Sequence, residues 1–470
     1  MNKIRNYEEL ISCGDAASRK LVLELTDRVL KRLDSYDRIK SMMYLDGDIL
    51  HVGSRCWDLS KKKSVYVLGA GKACNQMAMA VTEILGDRVT KGVINVKFVE
   101  ETDRYVNTEV YVGGHPLPNA EGERGSRRML EIVDGSGPDD LFIFLMSGGS
   151  TALMGCPVAG ITLAELMEAR DVMLKNNMRV MDINTVTGHC EQLNRGNLGK
   201  RIMARGGEII SLNIWDAIGW PEIGDYNEPV KMNGTPVGPD ASTFEQARRI
   251  VVENSLAGRL PESVYNHIMN GTAEQETPKH IERATYFMLN ILTDSCRYAL
   301  EEAKAMGVAC HVFSTSLEGE SKDAGMVFAT LAQEIQKNAR PFKAPCFVIS
   351  AGETTTSILD NSTITGHGGP GQELVSGFAI VARAVPGACM LSIDTEGSDG
   401  TTKYAGGITD STTYARANEA GIILQDALRG HASCEALSAL HDCVYTGNTG
   451  TNLCDFNVMY VPEKRPNAAN

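Results

Sequence analysis

The stretch Leu141–Leu153, with the sequence LFIFLMSGGSTAL, decides the fold class. It begins with an apolar run about as long as one buried strand, and the run stops at a glycine-rich turn. In open α/β proteins, ligands bind just beyond the carboxyl ends of parallel strands. Backbone N–H groups of a glycine-rich turn can approach an anion there. The stretch therefore predicts an α/β protein with an anion-binding loop at residues 147–151, unless the turn only reverses the chain.

The same pattern occurs earlier, in the segment 64–80, SVYVLGAGKACNQMAMA. A short apolar strand, Val65–Leu68, is followed by the turn Gly69–Gly71, and Lys72 is predicted to open a helix. The segment matches neither G-x-x-x-x-G-K-[ST] nor G-x-G-x-x-G, which excludes the Walker and Rossmann fingerprints here. Lys72 is therefore either a binding cation or a solvated residue at a helix start.

Composition limits the class of protein. A chain of 470 residues is long enough for two domains. The net charge of -13 argues against electrostatic binding to nucleic acid or to an anionic membrane, so an anionic substrate would need local cations. The 12 cysteines contain no C-x-x-C pair, which favours reduced thiols. We see no signal peptide and no membrane-spanning apolar run, and we predict a cytoplasmic location.

Periodicity predicts the remaining elements, and several predicted strands end in loops rich in Gly, Ser, Thr or Asp. These loops favour a shared functional site over an α/β fold with idle loops. The predicted helices are Asp15–Leu33, Gly122–Val133, Ile161–Lys175 (with a capping box of Thr162 and Glu165), Thr243–Glu253, Arg283–Met306 and Leu374–Val385. The further predicted strands are Gly92–Val96, Glu109–Val112, Glu208–Asn213, Ala344–Ser350, Ala388–Ile393 and Val458–Val461.

Two polar regions add candidate side chains. His115 lies at the tip of a loop that prolines and glycines restrict, where a histidine serves either as a surface residue or as a substrate ligand. The segment 182–198 carries Asn184, His189 and Arg195 without an obvious structural role. The Pro/Gly-rich segment 220–239 is long enough to be a functional loop.

Several motifs in this order resemble the type-2 glycerate kinase (MOFRL-containing) family over nearly the whole chain. They are GAGKA at 69–73, GGHPLPNAEG at 113–122, SGGSTAL at 147–153, INTV at 183–186, NGTPVGPDASTF at 233–244, GGPGQEL at 368–374, DTEGSDGTT at 394–402 and TGNTGTN at 446–452. The resemblance implies two α/β domains, the larger with a Rossmann-like parallel sheet flanked by helices, and an active site in the inter-domain cleft. We place an N-terminal glycerate-kinase-like domain at 1–275 and a C-terminal MOFRL-like domain at 280–470.

The resemblance also implies an activity. The family phosphorylates a hydroxyl of a small 2-hydroxy acid with ATP and Mg²⁺, typically glycerate to 2-phosphoglycerate, and a related sugar acid is an alternative. A small anionic substrate and a nucleotide are the expected partners, without nucleic acid or membrane, and a homodimer is allowed.

The resemblance and the loops together give the candidate site residues. Two of them, Asp216 and Asp399, could instead only cap a loop. The candidates are Lys72, Asp216 and Asp399 for catalysis; Ser147, Gly148, Gly149, Ser150, Thr151, Gly352, Glu353 and Thr354 for the nucleotide; His115, Asn184, His189, Arg195, Gln372, Glu373 and Lys403 for the substrate; and Asp394 and Asp399 for the metal.

The chain departs from the family pattern mainly at basic positions. Pro370-Gly371 stands where an Arg-Asn pair is usual, and Thr187-Gly188-His189 where Arg-Lys-His is usual. Trp220 and Lys403 each replace an Asp. Either Lys403 and Arg195 rebuild the lost positive charge for another sugar acid, or catalysis is weakened. Two other functions compete with the kinase: a non-catalytic ligand-binding protein and an NAD(P)H-dependent hydroxypyruvate reductase. The sequence lacks the dinucleotide-binding fingerprint that a reductase would need.

Overall fold

A computed structural model describes residues 2–176, 178–358 and 361–464. The helices, in chain order, are α1 (Tyr7–Ile11), α2 (Ala16–Leu33), α3 (Ser35–Met42), α4 (Cys74–Leu85), α5 (Ala120–Asp134), α6 (Ser150–Leu153), α7 (Leu163–Lys175), α8 (Val180–Gly188), α9 (Asn197–Ala204), α10 (Phe244–Glu253), α11 (Glu262–Asn270), α12 (Asp294–Ala305), α13 (Ser321–Asn338), α14 (Pro370–Ala382), α15 (Thr413–Glu419), α16 (Leu424–Arg429) and α17 (Ser433–Ala439). The strands are β1 (Met43–Asp46), β2 (Ile49–Val52), β3 (Arg55–Asp58), β4 (Ser64–Ala70), β5 (Lys91–Val96), β6 (Thr108–Val112), β7 (Asp140–Met146), β8 (Glu208–Trp215), β9 (Ala284–Ile291), β10 (Ala309–Leu317), β11 (Cys346–Gly352), β12 (Cys389–Asp394), β13 (Gly406–Asp410), β14 (Cys443–Val444) and β15 (Asp455–Val461).

The chain forms two compact units. The first, called here the N-terminal unit, comprises residues 35–214 and 223–289. The C-terminal unit comprises residues 1–34, 215–222 and 290–470. The C-terminal unit also includes the start of the chain and a short segment after β8. The predicted domain division between residues 275 and 280 stays a prediction.

A six-stranded sheet in the order β6-β5-β4-β7-β8-β9 forms the centre of the N-terminal unit. The pairs β4–β5, β4–β7, β5–β6 and β7–β8 are all parallel. Every residue of β7 is buried, as expected for a parallel strand that is covered on both faces. The predicted Rossmann-like sheet flanked by helices is confirmed, and the stretch that suggested it is its central strand.

A helical core lies beside this sheet in the same unit. The apolar faces of α7, α8, α10 and α11 meet around Phe244. The capping box predicted at Thr162 and Glu165 is present at the start of α7. An antiparallel sheet of β1, β2 and β3, which we did not predict from the sequence, also belongs to this unit.

The C-terminal unit has a mixed sheet in the order β10-β11-β15-β12-β13-β14. Among the described strands of this sheet, only β10 and β11 pair in parallel, and β15 runs antiparallel to both β11 and β12. Strands β11 and β12 therefore point the same way, and both end where β15 begins. Helices α13 and α14 cover one face and bury Phe328, Phe378, Met390 and Met459.

The helix predicted over Arg283–Met306 is wrong. Its first part is the strand β9, and only its second part is a helix, α12. The carboxylate of Asp294 accepts a hydrogen bond from the N–H of Ile291 at 2.9 Å, which separates the strand from the helix. The sequence ATYFMLNI of β9 is rich in β-branched and aromatic residues, and its burial in the sheet outweighs a weak helical periodicity.

Two helix starts also differ from the prediction. Helix α4 begins at Cys74, so Lys72 belongs to the preceding loop rather than to the helix. Helix α14 begins at Pro370, four residues before the predicted start, with proline in the first turn, where a missing N–H costs nothing. Each of the twelve cysteines is a free thiol, and none of the described helices is long and apolar enough to cross a membrane.

Candidate active site

Two loops lie side by side at the carboxyl edge of the sheet in the N-terminal unit. The parallel register places Ala70 of β4 opposite Met146 of β7, so both strands end at the same level. The N–H of Lys72 then donates to the carbonyl of Gly148 at 3.0 Å. The N–H of Ala73 donates to the hydroxyl oxygen of Ser147, also at 3.0 Å. The loops 71–73 and 147–151 are thus held together by hydrogen bonds, and we call them the paired loops.

Glycine is required at two points of the paired loops. Gly71 has a φ of +146°, and a Cβ there would lie 2.1 Å from Ser147 Oγ. Gly149 has a φ of +82°, and its missing Cβ would lie 3.0 Å from His115 Cδ2 and 3.1 Å from Lys72 Cγ. The side chains of Lys72 and His115 therefore flank the backbone of Gly149 on this edge of the sheet.

The backbone amides of the second loop are available as donors. In the part of the chain that the structure describes, the N–H groups of Gly149, Ser150 and Thr151 donate to no protein acceptor. The hydroxyl oxygen of Ser147, by contrast, accepts a hydrogen bond within the protein. A partly exposed lysine ammonium beside a set of free amides is the chemistry that recognises a phosphate group.

Arg195 lies close to these loops, but it is engaged by an acid. Its neighbour Asn194 donates to the carbonyl of Thr151 at 3.4 Å. The guanidinium of Arg195 pairs at 3.2 Å with Asp240, whose side chain is buried. Arg195 also has a φ of +55°, a strained conformation for a residue with a side chain. The prediction that Arg195 replaces a lost binding cation stays untested, and the structure places a counter-ion beside it.

The two other predicted substrate residues of this unit serve the helical core. Asn184 accepts a hydrogen bond from Arg170 at 3.3 Å. The imidazole of His189 bonds to the carbonyl of Thr185 at 2.7 Å and to Glu276 at 3.0 Å. Because His189 has a buried side chain with partners on both nitrogens, the expectation that this segment lacks a structural role is wrong.

Acidic residues gather at one edge of the sheet in the C-terminal unit. The register puts Gly352, Asp455 and Asp394 in one row across β11, β15 and β12. Asp455 accepts hydrogen bonds from the N–H and the hydroxyl of Thr354, both at 3.2 Å. The pKa of Asp455 lies well above its ordinary value, because burial and the charges of Asp394 and Asp399 disfavour its ionised form.

Asp216 and Glu353 join this row around Cys454. The side chain of Asn452 donates to the carboxylate of Asp216 at 2.9 Å. The thiol of Cys454 lies 3.6 Å from the carbonyl oxygen of Asp216 and 3.9 Å from a carboxylate oxygen of Glu353. The pKa of this thiol is raised first by burial and then by Asp216, Glu353, Asp394 and Asp455. We call these four carboxylates the acidic row.

Asp399 caps a helix. Its two carboxylate oxygens accept from the N–H groups of Gly371 at 3.1 Å and Gln372 at 2.8 Å, in the first turn of α14. Burial raises the pKa of Asp399 to about 8, although these two N–H groups favour the ionised form. The geometry matches the capping alternative, and the predicted catalytic and metal roles of Asp399 stay predictions.

Gln372 and Glu373 point into the protein. The amide of Gln372 donates to the hydroxyl of Thr402 at 3.0 Å. Glu373 bonds to His431 at 2.8 Å, and burial raises the pKa of its carboxyl group. Both side chains are fully buried, so neither presents a surface to a substrate in this conformation.

Lys403 borders a groove of about 540 Å³. Its ammonium lies 5.2 Å from the centre of the Tyr404 ring, and among the described residues it forms no ion pair. Thr402 connects the groove to the Asp399 loop, since its hydroxyl bonds to the carbonyl oxygen of Asp399 at 2.9 Å. The residues that line the groove are His367, Thr401, Thr402, Lys403, Tyr404, Cys434, Glu435, Ser438 and Ala439.

The acidic row has the donor chemistry that a hard cation prefers. Among the described residues, no three His, Cys, Asp or Glu side chains are arranged to hold a metal ion by themselves. Mg²⁺ usually takes one or two carboxylates and completes its shell with water and substrate phosphates. Asp394 is partly exposed and Asp455 faces it across the sheet, so this pair fits such a role.

Two residues of these sites were missed in the sequence. Asp455 lies three residues before the last predicted strand, Val458–Val461, and is the first residue of β15. A carboxylate at the start of a strand gives no signal without its neighbours in the sheet. Asn194 lies beside Arg195 in a polar segment, and only the fold brings it to Thr151.

Comparisons with known proteins agree with this architecture. Residues 21–269 match the model of a domain of unknown function (DUF4147), and residues 346–455 match the MOFRL family. The glycerate 2-kinase of Pyrococcus horikoshii is 32% identical over 450 residues, which cover 95% of this chain and 98% of that protein. The D-glycerate 2-kinase of Thermotoga maritima is 32% identical over 83% of this chain and 89% of that protein.

A solved structure is similar over the same range. The crystal structure of a glycerate kinase from Thermotoga maritima is 28% identical, with a TM-score of 0.76, and the match covers 95% of this chain and 100% of that one. The identity of 32% over almost the whole chain and the two family matches together show the family of this chain. The chain belongs to the family of proteins that join a DUF4147 domain to a MOFRL domain.

Proposed function

We propose that this protein transfers a phosphoryl group from ATP to a hydroxyl of glycerate or a related 2-hydroxy acid. The observation that carries the proposal is the arrangement of the paired loops, where Lys72 flanks a turn with free backbone amides. Relatives named glycerate 2-kinase at 32% identity support the same chemistry. A hydroxypyruvate reductase is less well supported, because no G-x-G-x-x-G sequence follows β4.

The paired loops are suited to nucleotide phosphates. Phosphoryl transfer needs positioning and stabilisation of negative charge more than covalent chemistry. Rigid amides at Gly149, Ser150 and Thr151 would hold phosphate oxygens, and the ammonium of Lys72 would neutralise charge that develops during transfer. Backbone hydrogen bonds of Lys72 and Ala73 to the second loop fix these donors before the nucleotide arrives.

The acidic row is suited to the metal and the proton. Asp394 and Asp455 would hold Mg²⁺, which when bound offsets the charge of the phosphates. Asp216 would take the proton of the attacking hydroxyl, because Asn452 orients its carboxylate within the acidic row. Asp399 instead stabilises the start of α14, on which the neighbouring loops depend.

Lys403 is suited to the carboxylate of the substrate. It carries a positive charge at a position where related proteins usually have an acid, and the groove beside it offers hydroxyl donors at Thr401 and Ser438. A lysine binds a carboxylate as a point charge. The cytoplasmic location expected from the sequence remains part of this proposal and is supported by the twelve free cysteines.

The first experiment follows ADP release when the protein is mixed with MgATP and a panel of 2-hydroxy acids of increasing length. Turnover with glycerate or a longer acid supports the proposal. Oxidation of NADH with hydroxypyruvate would favour the reductase. Absence of ADP with every acid, together with a thermal shift caused by one of them, would favour a non-catalytic binding protein.

Substitution of Lys72 tests the assigned cation. We expect Lys72→Ala to lower kcat by about 100- to 1000-fold, the usual loss for one preorganised donor, with an unchanged thermal midpoint. Lys61→Ala is the matched control, because the Lys61 side chain is exposed and belongs to the same unit. If Lys72→Ala keeps the wild-type kcat, Lys72 is not part of the site.

Substitution of Lys403 tests substrate recognition separately. We expect Lys403→Ala to raise the KM for the acid by about tenfold, the loss of one exposed charge–charge contact, and to leave the KM for ATP unchanged. Lys337→Ala, in the exposed last turn of α13, is the control. Unchanged kinetics for the acid would remove Lys403 from the site without affecting the kinase assignment.

A further inference from the structure

Strand β10 is an open sheet edge. It lies at one end of the mixed sheet, pairs with β11 alone and is nine residues long. Its sequence, ACHVFSTSL, contains no Asp, Glu, Lys, Arg or Pro. Proteins normally blunt an exposed edge with charges, proline or very short strands, because its free N–H and C=O groups can pair with another chain.

Two other outer strands, β14 and β6, do show such protection. At the opposite end of the same sheet, β14 has only two residues. The outer strand β6 carries Glu109, which forms ion pairs with Lys91 at 2.8 Å and with Arg128 at 3.2 Å. β10 is therefore the edge with the least protection among these three.

Apolar side chains are exposed on and beside β10. Val312 is 37% exposed and Phe313 is 45% exposed, and the two residues point to opposite faces of the sheet. Phe313 meets the ring of Phe328 edge to face at 5.1 Å, which fixes its position on the α13 side. Leu300 of α12 is 40% exposed. A strand added to this edge would cover apolar surface on both faces.

The two ends of β10 carry opposite charges. Lys343 is exposed near the first end, because Cys346 is the register partner of Ala309 and the Phe342 ring stacks on His311 at 4.0 Å. Glu318 is exposed directly after the last residue of β10. Within the described residues, neither Lys343 nor Glu318 forms an ion pair. An antiparallel copy of this strand would place each lysine beside a glutamate.

We propose that two copies of this chain form a dimer by pairing their β10 strands antiparallel across a two-fold axis. The self-complementary charges select a second copy, and an antiparallel pairing brings Lys343 to Glu318 of the partner subunit. The pairing runs over Ala309–Val312, because the strand is irregular after Val312. The two mixed sheets then continue into each other through main-chain hydrogen bonds.

The test measures the mass of the full-length protein in solution by light scattering. One chain has a mass of 50.9 kDa, and we expect the wild type to have twice this mass at micromolar concentration. Val312→Lys places a charge on the edge and is expected to give a monomer. Ile423→Lys, at an apolar residue that is 57% exposed on another surface, should leave the dimer intact. A monomeric wild type or a dimeric Val312→Lys overturns the proposal.

A charge exchange tests the orientation. Glu318→Lys puts like charges together at both ends and is expected to raise the dissociation constant of the dimer about tenfold at low salt. The double variant Glu318→Lys/Lys343→Glu should restore the wild-type value. If the double variant is no tighter than Glu318→Lys, the strands are not paired antiparallel. The mass does not depend on catalytic activity, so failure here and failure of the proposed kinase function are distinguishable.

Discussion

Gly71→Ala tests whether the contact between the paired loops is needed for activity. An alanine Cβ at this position would lie 2.1 Å from Ser147 Oγ, 2.7 Å from its carbonyl oxygen and 2.8 Å from its nitrogen. Two of these atoms belong to the backbone, so relief requires the loops to separate by about 1 Å. The hydrogen bonds from Lys72 N to Gly148 O and from Ala73 N to Ser147 Oγ would be lost.

The expected loss of stability in Gly71→Ala follows from backbone strain and from the lost hydrogen bonds. The φ of +146° costs an alanine about 1–3 kcal/mol, and each lost hydrogen bond costs about 1 kcal/mol. A total of about 3–5 kcal/mol corresponds to a thermal midpoint lower by about 10 °C for a unit of this size. A displacement of 1 Å at a site of phosphoryl transfer is expected to lower kcat/KM by about 100-fold.

The matched control is Gly86→Ala. Gly86 also has a positive φ, +51°, but no atom lies within 4 Å of the position of its missing Cβ. It should therefore lose about 1 kcal/mol of stability and keep its kcat/KM within about twofold. The assay measures ADP release with MgATP and the best acid of the panel. The temperature is kept below the thermal midpoints of both variants, Gly71→Ala and Gly86→Ala. A folded Gly71→Ala variant with kcat/KM within threefold of the wild type would refute the reasoning.

Two further predictions concern buried charges. Arg19 contacts Asp410 at 2.5 Å and Asp442 at 2.8 Å in a fully buried cluster. Arg19→Met removes this partner from both carboxylates and should destabilise the protein by about 3–5 kcal/mol in denaturant unfolding at pH 7. Burial raises the pKa of Asp410, but Arg19 lowers it by more, so the pKa lies below its ordinary value. The stability lost in Arg19→Met should therefore shrink as the pH falls below about 4, and a loss that stays constant with pH contradicts this. Burial raises the pKa of Glu191 to about 8, so the wild type should lose up to about 5 kcal/mol as the pH rises from about 4.5 to 8, whereas Glu191→Gln should not; parallel pH profiles contradict this.

The local elements of the fold were predictable because their signals lie within a few residues. The apolar runs of β4 and β7 end in glycine-rich turns, and the capping box at Thr162 marks a helix start within four residues. The predicted helix Asp15–Leu33 is α2, which begins one residue later, with Asp15 as its N-cap residue. The helix predicted across β9 failed because strand and helix signals in that stretch differ little, and burial between neighbouring elements decided the outcome.

The candidate sites were only partly predictable, since a side chain's partners are set by distant parts of the chain. Lys72, His115 and the loop 147–151 could be selected because each carries a local pattern of glycine, proline or hydroxyl residues. His189 and Gln372 have the same polar character, yet they are buried with structural partners. The sequence alone cannot separate a binding residue from a buried hydrogen-bonding residue of the same type.

The sequence by itself determined the α/β class, the family and the glycine-rich loops, because these depend on composition and on short motifs in a fixed order. Only the tertiary structure decided which charges remain available. It paired Arg195 with Asp240, used Asp399 to cap α14 and placed Asp455 opposite Asp394. These contacts join residues that are 45, 27 and 61 positions apart in the chain. A hydrogen bond or an ion pair depends on distance in space, which local sequence patterns do not specify.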